Sequence, residues 1–170
     1  MSIYEKHKMG DPRLPFIFHQ FYCKNGSAST GNWHENIELI CVTEGTATIL
    51  SGDKTFSLPA GQIAVINANC IHEIRSTGKL HYYCLIVNRD FCLANYFDTN
   101  TILFSPIIED KELFDLVGQF AKEYATEESP YRTPTLRALL LRIMTLLCRN
   151  YSTIEESPAE EPRLLSSVKD

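Results

Sequence analysis

Apolar and polar positions follow two different periods along this chain. From Phe16 to Val87 the apolar residues come in short blocks divided by glycine, proline and asparagine, and beyond about residue 90 they recur every three or four positions. The first regime predicts strands at Phe16 to Cys23, Ile37 to Thr43, Thr46 to Leu50, Thr55 to Leu58, Ile63 to Asn67 and Lys79 to Val87, with Asn69 to Arg75 a turn that re-enters a strand. Glu44-Gly45, Ser51-Gly52-Asp53-Lys54 and Pro59-Ala60-Gly61 read as turns, and Lys24 to Gly31 as a loop. Short strands at this spacing predict a sandwich or barrel.

The second regime predicts helices. A short one follows Asn88 and runs through Phe97, and Glu109 to Thr126 carries Leu113, Leu116, Val117, Phe120, Ala121 and Tyr124 on one face. Thr133-Pro134 reads as a capped helix start, followed by a helix from Thr135 to Tyr151. Leu136, Leu139, Leu140, Ile143 and Leu147 belong to an apolar surface covering well over half of that last helix. A helix this apolar needs cover on more than one side. The expectation is a homodimer through this helix; the competing reading is that the preceding helix and the barrel bury it unaided.

At 170 residues the chain suits one domain with a real core, burying about 70% of its unfolded surface. Its formal net charge of -5 excludes a whole-surface positive field, so direct nucleic-acid binding by this segment is not expected. The six cysteines include no Cys-x-x-Cys, and Cys41, Cys84 and Cys148 lie inside apolar runs, which suits a reduced, cytoplasmic protein. The polar amino terminus lacks the apolar core of a signal peptide, and no apolar run approaches the ~18 residues of a membrane span.

The stretch richest in chemistry is Gly31-Asn32-Trp33-His34-Glu35-Asn36-Ile37-Glu38, leading to Gly45 and later to Pro59-Ala60-Gly61. If Glu38 points inward, strand alternation places Ile40 and Val42 beside it, and His34 can share that face. A carboxylate on an apolar wall accepts hydrogen bonds from hydroxyls or pairs with an amine. Trp33 offers a stacking surface, His72 follows a turn, and only one of Tyr82 and Tyr83 can face inward. The structural alternatives are a backbone-bonded His34, a Glu38 paired with Arg75, and a Trp33 that simply packs.

These residues carry a resemblance to the cupin barrel of AraC-type bacterial transcription regulators. The family pattern is a glycine, His-x-His, three or four residues, Glu, six residues and Gly, then Pro-x-Gly-x-x-His. Asn32 replaces the first histidine, His34, Glu38 and Gly45 fit, and Ala64 stands where the last histidine is expected. The resemblance implies a mainly β fold, a cupin-type jelly-roll barrel followed by two or three helices that form a dimerisation layer. It implies an arm at 1–15, which in the family folds over bound effector, a barrel at 16–90, a helical region at 91–151, a linker at 152–162 and, at 163–170, the start of a truncated helix-turn-helix domain. The function expected is non-enzymatic. A small organic effector, sugar-like or another polar metabolite, would bind at Trp33, His34, Glu38, Ile40, His72 and Tyr82 and control DNA binding by the missing domain. No metal or cofactor is expected, because His34 and Glu38 are only half of a metal cage and neither His72 nor His81 lies at the family's spacing. The alternatives are a metal-dependent cupin enzyme, a dioxygenase or isomerase, and a constitutive dimerisation module with a filled barrel.

Overall fold

The computed structural model describes residues 3–154. The expected end of the linker and the helix at 163–170 lie outside the described residues. Among the described residues, twelve strands and three helices are arranged in chain order as β1 (Ile3–Tyr4), β2 (Phe16–Cys23), β3 (Ser27–Ala28), β4 (Asn32–Trp33), β5 (Ile37–Ser51), β6 (Lys54–Pro59), β7 (Ile63–Ile66), β8 (His72–Ser76), β9 (Leu80–Val87), α1 (Arg89–Ala94), β10 (Ile102–Phe104), β11 (Ile107–Ile108), α2 (Lys111–Ala125), α3 (Arg132–Tyr151) and β12 (Ser152–Ile154). The architecture is the expected one: mainly β, a curled jelly-roll sheet of the cupin type with helices packed on one side.

The long strand β5 holds the barrel together. Its first half lies between β7 and β9, and its second half between β6 and β8. The predicted turn at Glu44-Gly45 is therefore a bulge inside one continuous strand, with the pairing to β9 slipping between Val42 and Glu44. Gly45 has φ of 82°, and a Cβ there would come within 2.0 Å of the Lys79 carbonyl oxygen. Only glycine allows β5 to bend this close to the neighbouring backbone.

The first half of β5 is buried on both faces, which explains its nearly unbroken apolar sequence. Ile37, Leu39 and Cys41 face the helices together with Phe16, Phe18, Leu85 and Val87. Ile40 and Val42 face the barrel interior, which Ala47, Ile49, Leu58, Ala64, Ile66, Ile74 and Leu80 fill, with Tyr82 against them. Tyr83 packs on the helical side, so alternation has sent the two tyrosines opposite ways.

Helix α3 corrects two expectations. It begins at Arg132 after Tyr131, a left-handed residue with no side-chain cap, so Thr133-Pro134 lies inside the first turn. Arg132 itself anchors the start by donating to the Glu123 and Tyr124 carbonyls at the end of α2. Leu136, Leu140, Ile143 and Leu147 are wholly buried within the protomer among α2 and the outer barrel face, and so present nothing to a second copy. Leu139 alone of the five expected contact residues keeps exposed surface. The 20-residue helix is covered by its own chain: α2, β10 and β12 pack against it, and outer barrel residues share its buried cluster.

Residues 152–154, expected to be linker, form β12 against β10. Part of the arm is strand: β1 pairs in parallel with β4. Among the described residues no helix is long and apolar enough to cross a membrane. Replacing Leu140 by alanine removes a fully buried side chain and is expected to lower stability by about 2–5 kcal/mol, read as a shift in denaturant midpoint.

Candidate functional site

His34, in the bend between β4 and β5, Glu38 on β5 and His72 at the start of β8 meet at one end of the barrel interior. All three are buried, and their ligating atoms lie within 4.8 Å of one another. His34 Nε2 is 3.0 Å and His72 Nε2 3.2 Å from the same atom, Glu38 Oε2. The other carboxylate oxygen accepts from the Cys84 thiol at 3.1 Å. Each imidazole is held from behind by a backbone carbonyl: His34 Nδ1 is 2.9 Å from the Asn36 oxygen and His72 Nδ1 is 3.1 Å from the Cys70 oxygen.

A carbonyl can only accept, so both rings carry a proton on Nδ1 and turn Nε2 toward Glu38. Two imidazole nitrogens and a carboxylate oxygen then point at one small volume. Such a set is stable only with a cation shared between its members, either protons on Nε2 or a metal ion. The fixed tautomers, set by second partners on Nδ1, are those of metal-ligating histidines. The residues present therefore fit a divalent ion held by His34, Glu38 and His72, a two-histidine, one-carboxylate set with open positions. A bound ion would supply Lewis-acid polarisation of an oxygen on a ligand.

This overturns the expectation that only half a metal cage survives. The second half of the motif lies further along the chain: Ala64 sits opposite Ile40 in the apolar interior, and His72 comes to Glu38. Asn67-Ala68-Asn69-Cys70-Ile71-His72 is the stretch with Pro-x-Gly-x-x-His spacing, asparagine replacing both proline and glycine. Asn69 adopts φ of 62°, the left-handed geometry that glycine usually supplies and asparagine tolerates.

Electrostatics follow from burial and pairing. Desolvation pushes the Glu38 carboxyl up, but hydrogen bonds from His34 and His72, the charge of His72 and the Cys84 thiol outweigh it and hold the group well below the usual carboxylate range. For His72, burial works downward, and the hydrogen bond and charge of Glu38 outweigh it, leaving the imidazole above its ordinary value. Burial, followed by the Glu38 charge, keeps the Cys84 thiol protonated and donating.

Of the other expected contacts, Ile40 and Tyr82 line the interior beneath the cluster. Trp33 does not: it is half-buried on the rim, its ring 4.8 Å from Tyr4 of the arm. Arg75 pairs with Glu73 rather than Glu38. His81 lies away from the cluster, 2.5 Å from the Thr43 hydroxyl.

The arm supplies what motif reading missed. Tyr4 donates to Glu35 at 2.6 Å, the Asn32 amide donates to Glu5, and the His7 ring packs 4.4 Å from that of His34. Glu5 and His7 stand two positions apart, and both turn toward the barrel mouth. That spacing was the available signal, and without β1 to anchor the arm it carried no direction. Open space lies beside the arm, and neither cavity there is lined by the cluster itself. One of about 550 Å³ lies between the arm and β2, lined by Glu5, Lys6, His7, Lys8, Phe18 and Tyr124 among others, and one of about 490 Å³ by Tyr4, Glu5, Gly31 and Asn32 among others.

Comparison with known proteins adds the following. A family model described as "AraC-like ligand binding domain" matches residues 15–167. L-ectoine synthases of Rhodococcus opacus (strain B4) and Rhodococcus jostii (strain RHA1) are 24% identical over 79 residues, 45% of this chain and 60% of theirs. The match thus spans less than two thirds of those relatives. Among solved structures, a cupin superfamily protein from Desulfitobacterium hafniense superposes with a TM-score of 0.42 at 18% identity, over 44% of this chain and 68% of that one. Bacillus subtilis oxalate decarboxylase gives 0.41 at 14% identity, over 44% of this chain and 21% of its own.

The cluster makes stability depend on pH in a stated direction. In metal-stripped protein the Glu38 contribution is complete above that group's ordinary 4.5 and is lost as pH falls through its depressed folded value. The His72 contribution is complete below its ordinary 6.5 and is lost as pH rises through its raised folded value. The stability difference between wild type and Glu38→Gln is therefore expected to be largest between pH 4.5 and 6.5 and to shrink on both sides, as measured by denaturant midpoints. At its maximum the difference should be roughly 3–5 kcal/mol, the usual cost of breaking a buried ion pair.

Proposed function

Because the chain belongs to the AraC-like ligand binding domain family, we propose that it is the sensing half of a transcription regulator, binding a small polar organic effector at the His34–Glu38–His72 cluster. The observation that carries this reading is the cluster itself. Three buried polar side chains converge at the end of an otherwise apolar interior, where a ligand's oxygen or nitrogen would find directional partners and little competing water.

Two connections support a sensing role. The arm crosses the cluster through His7 and is tied to helix α3 where Arg137 donates to the Arg13 carbonyl at 3.0 Å. On the other side, the Asn67 side chain accepts from the Phe104 N–H at 2.8 Å and donates to the Phe104 carbonyl at 3.2 Å. Asn67 opens the loop that delivers His72, and Phe104 ends β10, the partner of β12. A ligand that moves the loop thus acts on the strand through which the chain leaves the barrel. To report its presence, the effector must prefer one of two states of these elements. A second copy would pack on α3 through Leu139, which retains exposed surface.

A metal-dependent cupin enzyme is the second reading, favoured by the tautomers of His34 and His72 and their convergence on Glu38. Calorimetric titration of sugars, sugar acids and amines, with elemental analysis of protein purified without chelators, separates the two. The sensing reading expects saturable binding, abolished in Glu38→Gln, without turnover. Turnover that requires a stoichiometric transition metal would replace it with the enzyme reading. For self-association, Leu139→Glu is expected to give a folded monomer in sedimentation velocity, and an unchanged dimer would move the contact elsewhere.

A further inference from the structure

The arm brings a carboxylate of its own to the barrel mouth. Asn32, which occupies the first histidine position of the motif and stands opposite His72 in the strand register, donates its amide to Glu5 Oε2. The other Glu5 oxygen, Oε1, lies 3.4 Å from His7 Nε2. That nitrogen can be assigned a role. Asn36 Oδ1 accepts from the Arg89 N–H at 2.9 Å, which turns the amide nitrogen of Asn36 toward His7 Nδ1 at 3.1 Å. An amide NH2 only donates, so Nδ1 accepts and the ring proton of the neutral imidazole sits on Nε2. The His7 side chain is 95% buried, and its N–H meets only Glu5 Oε1, at 3.4 Å and without hydrogen-bond alignment. A buried donor so poorly met is costly and marks a place where a better-placed acceptor is wanted.

We propose that Asn32 and His7 form a carboxylate-binding notch at the barrel mouth, that Glu5 is its internal occupant, and that the effector is a small organic carboxylate that replaces the Glu5 side chain. This rests on the sensing reading above and names its ligand class. The Glu5 side chain is 47% exposed and lines both cavities beside the arm, so it can swing outward while the arm backbone stays paired to β4. A ligand carboxylate then accepts the Asn32 amide and the His7 N–H with better alignment than a side chain constrained by its own strand. The body of the ligand extends into the cavity walled by Lys6, Lys8 and Phe18. The arm thereby grips the ligand through His7 rather than only covering it.

The test is chemical rescue. Glu5→Ala is expected to loosen the arm, so that trypsin cuts after Lys6 and Lys8 faster than in wild type while circular dichroism is unchanged. Acetate or benzoate should restore protection, whereas acetamide, benzamide or chloride at the same ionic strength should not. Calorimetry should show benzoate binding about tenfold tighter to Glu5→Ala than to wild type, as expected when a charge-assisted internal competitor is removed. Glu5→Ala combined with Asn32→Ala should lose both effects. Equal responses to benzoate and benzamide, or none to either, would overturn the notch. Binding of a neutral polyol that depends on Glu38 and is indifferent to Glu5 would overturn the carboxylate assignment and leave the sensing reading standing.

Discussion

Everything at the functional end of this barrel follows from one ionised carboxylate placed on a strand that is buried on both faces. Glu38 has Ile37 and Leu39 beside it facing the helices and Ile40 two positions on facing the interior, so no solvent reaches it along its own strand. An isolated charge there would cost far more than the fold can supply. It is retained because His34, His72 and Cys84 converge on its two oxygens. Once they do, their geometry is determined in turn: Glu38 takes Nε2 of each imidazole, and backbone carbonyls take Nδ1. The result is a rigid polar centre poised for a proton or a metal ion.

The same strand decides where the centre sits. β5 is long enough to belong to both halves of the curled sheet, and the bulge before Gly45 bends it from one half to the other. Its first half carries Glu38 between β7 and β9, and its second half pairs Ser51 with His72 on β8. One strand thus positions two of the three residues, directly in one case and by register in the other. The helices stabilise this arrangement from outside, where α3 spends its apolar surface on α2 and the sheet.

The arm completes the mouth instead of merely trailing from it. By adding β1 to β4 it places Glu5, His7 and Tyr4 against Asn32, His34 and Glu35, joining polar groups that the barrel alone would leave facing solvent. Arg137 and Asn67 connect the arm and the His72 loop to the elements at the far side of the domain.

The sequence by itself determined the barrel strands β2 and β5 to β9, the helices and the inward set of Glu38, Ile40 and Val42, because period two along a half-buried strand and period 3.6 along a helix are local properties. It also marked His34 and Glu38, whose spacing survives within a single segment. It could not decide that Glu44-Gly45 is a bulge, since a turn and a bulge use the same residues and differ only in which backbone comes alongside. Nor could it tell whether the apolar face of α3 meets its own chain or another. Only the tertiary structure brought His72 to Glu38, and Glu5 and His7 to the same mouth. These meetings depend on strand register and on a left-handed Asn69 that hides the motif behind two asparagines, and register is a relation between segments that neither segment carries alone.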